Sequence, residues 1–108
     1  MPQNLDKDGL RSKINSYELF FIDIWGVIHN GLQIFEDSIE VLENLKKNNK
    51  EFVLLTNAPR PNSTVIDFLK KIGLKKYYED VYTSGEASLK YLMENFLNAK
   101  FYHIGPPR

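Results

Sequence analysis

The sequence predicts an α/β fold in which helices pack on a parallel sheet. Two observations favour this fold: strand-like and helix-like patterns alternate along the 108 residues, and two apolar runs end abruptly in polar groups. Such alternation is typical of strand–helix–strand units with right-handed crossovers. A chain of this length suits a single domain.

The first predicted strand covers residues 18–25 and follows a short predicted helix over residues 9–16. Aromatic and β-branched residues occupy both of its faces, which is typical of the central strand of a parallel sheet. Asp23 lies near its carboxyl end, where open α/β sheets bind their ligands, and Gly26 allows the chain to turn away. A turn-forming aspartate without a chemical role is the alternative for Asp23.

A small flap is predicted after this strand, because the Asn30-Gly31 pair lies between apolar residues and forms a hairpin signal. The remaining helices are expected at residues 36–48, 61–72 and 84–97. The remaining strands are expected at residues 51–56, 80–83 and 100–104. Gly73 fits the end of the second of these helices, and Gly105 ends the last strand.

Composition excludes several kinds of function. Fourteen basic and fourteen acidic residues cancel, so no charge excess favours nucleic acid. The absence of cysteine excludes disulfides, thiolate nucleophiles and cysteine metal sites, and no glycine-rich nucleotide loop is present. The start of the chain is polar and of mixed charge, unlike the apolar core of a signal peptide, so a cytoplasmic location is expected.

Polar groups end the first two predicted strands, with Asp23 on the first and Thr56 and Asn57 on the second. Because neighbouring parallel strands end at the same edge of a sheet, we expect these groups to reach one small ligand. If Asp23 were absent, helix capping and turn formation would explain Thr56 and Asn57 better.

Two segments resemble the motifs of a known family. Residues 23–27 (Asp-Ile-Trp-Gly-Val) are similar to the first motif, Asp-x-Asp-Gly-Thr/Val, of the haloacid dehalogenase-like (HAD) superfamily of phosphohydrolases. Residues 54–57 (Leu-Leu-Thr-Asn) resemble its second motif, which ends in Thr/Ser-Asn. Further likeness to the class IIA branch of this superfamily lies at residues 28–31, 83–87 and 103–105. The resemblance runs from Tyr17 onward, and the joint spacing of the motifs makes it specific.

This resemblance implies a three-layer, Rossmann-like parallel sheet and a phosphatase that acts through an aspartyl-phosphate on Asp23. It also implies that Mg²⁺ is held by Asp23 and by the backbone carbonyl of Trp25, where it bridges the carboxylate and the phosphate dianion. The Thr56 hydroxyl and the Asn57 N–H would bind the phosphoryl oxygens. The implied substrate is a small phosphorylated metabolite.

Two departures from the family pattern lower the expected activity. Trp25 stands where most of these phosphatases have a second Asp as general acid and base, a role that indole cannot fill at neutral pH. Loss of such a group typically lowers the rate about a hundredfold to ten-thousandfold. The chain is also shorter than family members, so residues 1–108 resemble the N-terminal portion of the core, without the cap domain and the later motifs.

Three further expectations concern the free strand edge, the alternative function and the two histidines. The first strand should have a free edge, which favours a homodimer through that edge or a marginally stable chain. The rival to the enzyme is a non-catalytic pseudophosphatase that binds phosphate, a reading that Trp25 favours. His29 is expected to be exposed in the flap, and His103 is expected to end the last strand without binding a ligand.

Overall fold

The computed structural model describes residues 4–107, and its elements alternate as the sequence predicts. The strands are β1 (Leu19–Asp23), β2 (Glu51–Thr56) and β3 (Val81–Thr83). The helices are α1 (Glu36–Lys47), α2 (Asn62–Lys71) and α3 (Ser84–Asn95). Short 3₁₀ turns lie at Leu10–Ser12, Ile14–Ser16 and Tyr78–Asp80. The predicted α/β fold is therefore confirmed.

The three strands form one parallel sheet in the order β1-β2-β3. Asp23 pairs with Leu55, and Thr56 pairs with Thr83, so the three strands end at the same edge. Within residues 4–107, β1 has a neighbouring strand on one side only, and Phe21 on it is 69 % exposed. The free edge expected from the sequence is present, and β1 is not a central strand in this chain.

The core lies on one face of the sheet, where side chains of α1 and α2 meet the strands. Positions alternate along β2, since Phe52 and Leu54 are buried while Glu51 and Leu55 are exposed. The other buried apolar side chains of this core come from the flap segment after β1, from α1, from α2 and the turn after it, and from β3: Ile24, Ile28, Leu42, Leu45, Leu69, Leu74 and Val81. Full burial of one such side chain is typically worth about 1.5–3 kcal/mol. This core fixes the strand register, because a slip of one residue would turn it to solvent.

The first strand and the segment before it differ in detail from the sequence prediction. β1 ends at Asp23 rather than at residue 25, because Gly26 turns the chain with φ +76° and its N–H donates to the His29 carbonyl at 2.8 Å. Residues 9–16 form two 3₁₀ turns rather than one short helix. Gly73 follows α2 with φ +112°, which agrees with its predicted place at the helix end.

The predicted fourth strand over residues 100–104 is wrong, since this segment has no regular structure. Its apolar side chains lie exposed to solvent, and Tyr102 is 92 % exposed. A strand needs a neighbour to receive its backbone hydrogen bonds, and β3, the last strand of the described sheet, is only three residues long. His103 therefore ends no strand and lies exposed in an irregular segment.

Asp80 lies at the opposite end of the strands from Asp23, as the sequence predicts. Asp80 precedes β3 and contacts Lys46 of α1 at 3.3 Å, so it lies at the far end of the strands from Asp23.

None of the helices within residues 4–107 has the length and apolar character that crossing a membrane requires.

Candidate active site

The carboxyl ends of β1 and β2 meet at a cavity of about 510 Å³. Asp23, Thr56 and Asn57 line it together with Thr83 and Ser84, which follow from β3 into α3. The sequence placed Asp23 and Thr56 at one edge of the sheet on neighbouring strands, and this placement is confirmed. Their roles in chemistry stay predictions.

The carboxylate of Asp23 is solvent-exposed and held by one local hydrogen bond. Its Oδ1 accepts the backbone N–H of Ile24 at 2.7 Å. Its Oδ2 accepts no hydrogen bond from residues 4–107. An exposed carboxylate with one oxygen anchored and the other open has the geometry needed to meet an electrophile or a cation.

The Thr56 hydroxyl takes part in the turn that follows β2. Its Oγ1 accepts the N–H of Ala58 at 3.3 Å. This contact is the turn chemistry that explains Thr56 without a ligand, yet the hydroxyl hydrogen is left free to donate into the cavity. The Ala58 carbonyl in turn accepts the N–H of Gly85 and the hydroxyl of Ser84, each at 3.1 Å. The loop after β2 is thus fixed to the start of α3.

A network around Thr83 fixes the rest of this loop. Thr83 is fully buried, and its Oγ1 donates to the Arg60 carbonyl and accepts the N–H of Glu86 at 2.9 Å. A capping box would have Glu86 accept the N–H of Thr83. Here Asn62 stands between them, since its Oδ1 accepts the Thr83 N–H and its own N–H donates to Glu86 Oε2, both at 2.9 Å. The first turns of α2 and α3 are therefore joined.

The predicted flap is present, but the position of His29 differs from the prediction. Asn30 Oδ1 accepts the N–H groups of Leu32 and Gln33, which closes the tight turn that the Asn-Gly pair indicates. His29 was expected to be exposed and is only 3 % exposed. Its Nδ1 accepts the N–H of Gly31 at 2.8 Å, and burial holds the pKa of His29 below its ordinary value.

Two aromatic side chains hold the His29 ring. Trp25 and Phe68 both contact it edge to face, with ring centroids 5.1 and 5.4 Å from that of His29. The sequence could not show this burial, because Phe68 comes from α2 and is brought over the flap only by the fold. The apolar pair Val27-Ile28 before His29 was the one available signal.

A second cavity of about 410 Å³ lies beside the first and shares Thr56 with it. Trp25, His29, Arg60 and Phe68 are among its lining residues. Thr56 is the residue common to the linings of the two cavities.

Comparison with known proteins agrees with this geometry. A family model described as haloacid dehalogenase-like hydrolase matches residues 20–108. The chain belongs to this family. A curated protein similar to it is the 5'-nucleotidase YutF of Bacillus subtilis (strain 168), with 26 % identity over 93 residues, which are 85 % of this chain and 36 % of YutF.

Solved structures of the haloacid dehalogenase-like family superpose well on this chain. A hydrolase of this family from Brucella suis 1330 gives a TM-score of 0.69 at 30 % identity, covering 88 % of this chain and 35 % of its own. A 4-nitrophenylphosphatase from Thermotoga maritima gives 0.65 at 30 % identity, covering 77 % of this chain and 32 % of its own. This haloacid dehalogenase-like chain thus spans about a third of the length of these relatives.

The Mg²⁺ implied for a haloacid dehalogenase-like hydrolase would find only part of its ligands here. Asp23 Oδ2 and the backbone carbonyl of Trp25 accept no hydrogen bonds from residues 4–107, so both oxygens are available. Within the same residues no group of three or more His, Cys, Asp or Glu side chains could hold a metal ion. Mg²⁺ commonly uses one or two carboxylates and fills its other positions with water and substrate phosphate. The residues present therefore fit an ion shared with a phosphorylated ligand, not a closed protein site.

The sequence resemblance includes residues 83–87, but the contacts by which they support the site were not predicted. The Thr83-x-x-Glu86 spacing is also the signature of a capping box at the start of α3. A Cβ on Gly85 would lie 2.4 Å from the backbone nitrogen of Arg60, so only glycine fits. His103, by contrast, lines neither of the two cavities described here.

Proposed function

We propose that this chain is the N-terminal portion of a haloacid dehalogenase-like phosphatase, with Asp23 as its nucleophile. The observation that carries the proposal is the cavity that Asp23, Thr56 and Asn57 line together at the carboxyl edge of the sheet. Family membership and the neighbouring phosphatases support the reaction class. The proposed substrate is a small phosphorylated metabolite, and a cytoplasmic location stays a prediction.

The proposed reaction has two displacements at phosphorus. An Asp23 carboxylate oxygen attacks, the bond from phosphorus to the ester oxygen breaks, and the phosphoryl group becomes an aspartyl-phosphate. The departing alkoxide takes a proton from solvent, and water then attacks the aspartyl-phosphate to release inorganic phosphate and restore the carboxylate. The anchored Oδ1 of Asp23 keeps the carboxylate aimed along one direction, which favours in-line attack.

Three groups around Asp23 would hold the phosphoryl group. The Thr56 hydroxyl and the Asn57 N–H would donate to its oxygens, and both residues line the cavity on a loop that is anchored to α3. Mg²⁺ on Asp23 and the Trp25 carbonyl would reduce the repulsion between carboxylate and phosphate dianion when bound. These contacts position the phosphoryl group but supply no proton for the leaving group.

Weak turnover is expected because Trp25 stands at the position of the family's general acid and base. Indole is too weak an acid to protonate a leaving group and too weak a base to activate water at neutral pH. We expect the chain to hydrolyse para-nitrophenyl phosphate barely above background with Mg²⁺, and Asp23→Asn to remove that residual rate. Asp67→Asn is the matched control, since Asp67 is an exposed carboxylate on α2 outside both cavities.

The outcomes of this assay separate the readings. Turnover that survives in Asp23→Asn contradicts the proposed nucleophile. Robust turnover that disappears in Asp23→Asn would keep the nucleophile and show that the missing acid and base has been overvalued. Phosphorylated Asp23, looked for by intact-mass and peptide mass spectrometry after acid quench, gives direct evidence for the covalent step.

The second candidate is a non-catalytic module that binds phosphorylated ligands. Trp25 favours it, because a large indole replaces the acid while the phosphate-binding groups at Thr56 and Asn57 are kept. Calorimetric titration with inorganic phosphate and Mg²⁺ separates the two candidates. Binding without any turnover or phosphoenzyme supports the module.

We also propose that a second copy of the chain associates through the free edge of β1. An unpaired strand edge offers backbone hydrogen bonds to another strand. Leu19 and Phe21 on β1 are exposed apolar side chains that such an association would cover.

A further inference from the structure

The indole of Trp25 is exposed but held in a fixed place. Its outer ring lies against Gly31, where a Cβ would come within 2.7 Å of Cη2, and its edge contacts His29. Gly31 also has φ +91°, so the turn both needs glycine and leaves space for the indole. Nonetheless 65 % of Trp25 is accessible to solvent. A large aromatic surface that is immobilised and left uncovered is suited to stacking, because little side-chain entropy is lost when a flat ligand binds.

His29 offers one hydrogen-bond donor next to this surface. Its Nδ1 accepts the Gly31 N–H, so the proton of the neutral ring is on Nε2. His29 is 3 % exposed and lines the second cavity, and Nε2 has no hydrogen-bond partner within residues 4–107. Within residues 4–107 the buried side-chain atom without a partner is Asp80 Oδ2, so His29 Nε2 is not sealed off and opens onto the cavity, where an acceptor can reach it. The cavity is the space in which such an acceptor would lie.

The second cavity is placed where the leaving group of a substrate would extend. Thr56 lines both cavities, so a phosphoryl group at Asp23 and Thr56 lies next to the space bounded by Trp25 and His29. Most of the remaining wall is apolar, with Ile24, Val65 and Phe68. A largely apolar wall that also carries a flat aromatic surface, the His29 donor and the polar side chains of Arg60 and Thr64 is suited to a planar ring with an acceptor.

We propose that Trp25 and His29 bind the leaving group, and that this site takes phosphomonoesters of planar aromatic alcohols. The ring stacks on the exposed face of Trp25, and an oxygen or nitrogen of the leaving group accepts the His29 Nε2 hydrogen. This inference rests on the proposed function. An aryl leaving group also suits a site without a general acid, because phenols ionise near pH 10 and depart more readily than alkoxides.

Trp25 is the only tryptophan in the chain, so its fluorescence reports on this site alone. The probes are phenyl phosphate, glycerol phosphate and inorganic phosphate, each titrated with Mg²⁺ into the full chain by fluorescence and calorimetry. Phenyl phosphate should quench the emission and bind at least about fivefold more tightly than glycerol phosphate, since one aromatic stack is typically worth that much or more. Inorganic phosphate should bind without this gain.

Variants test whether Trp25 carries the preference. Trp25→Leu should bring the affinities for phenyl and glycerol phosphate to within about twofold, while Trp25→Phe should keep most of the preference. Phe101→Leu is the matched control, because Phe101 is an exposed aromatic outside both cavities and the preference should survive there.

Two results overturn the inference, and they differ in what else falls. Equal affinity for phenyl and glycerol phosphate in the unchanged chain, or an undiminished preference in Trp25→Leu, overturns the leaving-group inference. If inorganic phosphate still binds in that case, the proposed function stands. If none of the three probes binds, inorganic phosphate included, the proposed function fails together with it.

Discussion

Gly85→Ala should destabilise the chain, because α3 approaches the loop after β2 at this residue. The added Cβ would meet backbone atoms of Arg60, with the nitrogen at 2.4 Å and the oxygen at 2.5 Å. Backbone atoms cannot swing aside as the end of a flexible side chain can. The loop must move away, and the hydrogen bond from the Thr83 hydroxyl to the Arg60 carbonyl would be strained or lost.

The expected size follows from three opposing terms. Overpacking of a close contact costs about 1–3 kcal/mol, and a lost hydrogen bond costs about 0.5–1.5 kcal/mol. Alanine in place of glycine in a helix returns up to about 1 kcal/mol. The net expectation is a loss of about 1–3 kcal/mol in the free energy of unfolding, which for a chain of this size lowers Tm by roughly 4–8 °C for each kcal/mol.

Urea and thermal unfolding followed by circular dichroism measure this loss directly. Ser88→Ala is the matched control, because Ser88 lies exposed on the same helix and gains alanine without a clash. The control should leave stability unchanged or slightly raised. A Gly85→Ala chain as stable as the unchanged one would refute the close approach of α3 to the loop.

Three further predictions concern pH, association and turnover. Burial lowers the folded-state pKa of His29, so unfolding takes up protons and the free energy of unfolding should fall as pH drops below about 6.5. Unfolding titrations should show this pH dependence in the control variant His103→Gln. The same pH dependence in His29→Gln would contradict the prediction. Phe21→Lys should shift the chain toward monomer in light scattering, since a charge on an exposed edge opposes strand pairing; an unchanged mass rules out association through β1. In a full-length parent, Trp25→Asp should raise hydrolysis of para-nitrophenyl phosphate in protein shown to be folded, because a general acid and base typically supplies about a hundredfold or more in rate. Unchanged turnover with retained ligand binding would favour the non-catalytic module.

The sheet and the meeting of Asp23 and Thr56 at its carboxyl edge could be predicted, because both depend on local patterns. The apolar runs before Asp23 and Thr56 are strands, and parallel strands bring their carboxyl ends together whatever surrounds them. Residues 100–104 show the limit of the same reasoning. Their apolar residues fit a strand, but a strand exists only where a neighbour accepts its hydrogen bonds, and no local pattern reports that neighbour.

Support for the site could not be predicted, because it comes from contacts between distant segments. The burial of His29 depends on Phe68, and the capping of α3 depends on Asn62, which lies 21 residues before Thr83. The capping-box spacing at Thr83 and Glu86 was visible in the sequence, but the insertion of Asn62 between them was not. Such contacts follow from the three-dimensional path of the chain and leave no periodic trace.

The hydrogen bonds that join the first turns of α2 and α3 affect how the carboxyl edge of the sheet unfolds. Hydrogen bonds from Asn62 to Glu86 and from Thr83 to Asn62 span 24 and 21 residues, so neither can form before the intervening β3 has docked. Hydrogen exchange should therefore find the Asn62, Thr83 and Glu86 amides protected as one cooperative unit with a common opening free energy. The loop that carries Thr56 and Asn57 would then order only when the whole β2–α2–β3–α3 unit is folded, so that a partly folded chain would have no half-formed pocket in which phosphate could bind.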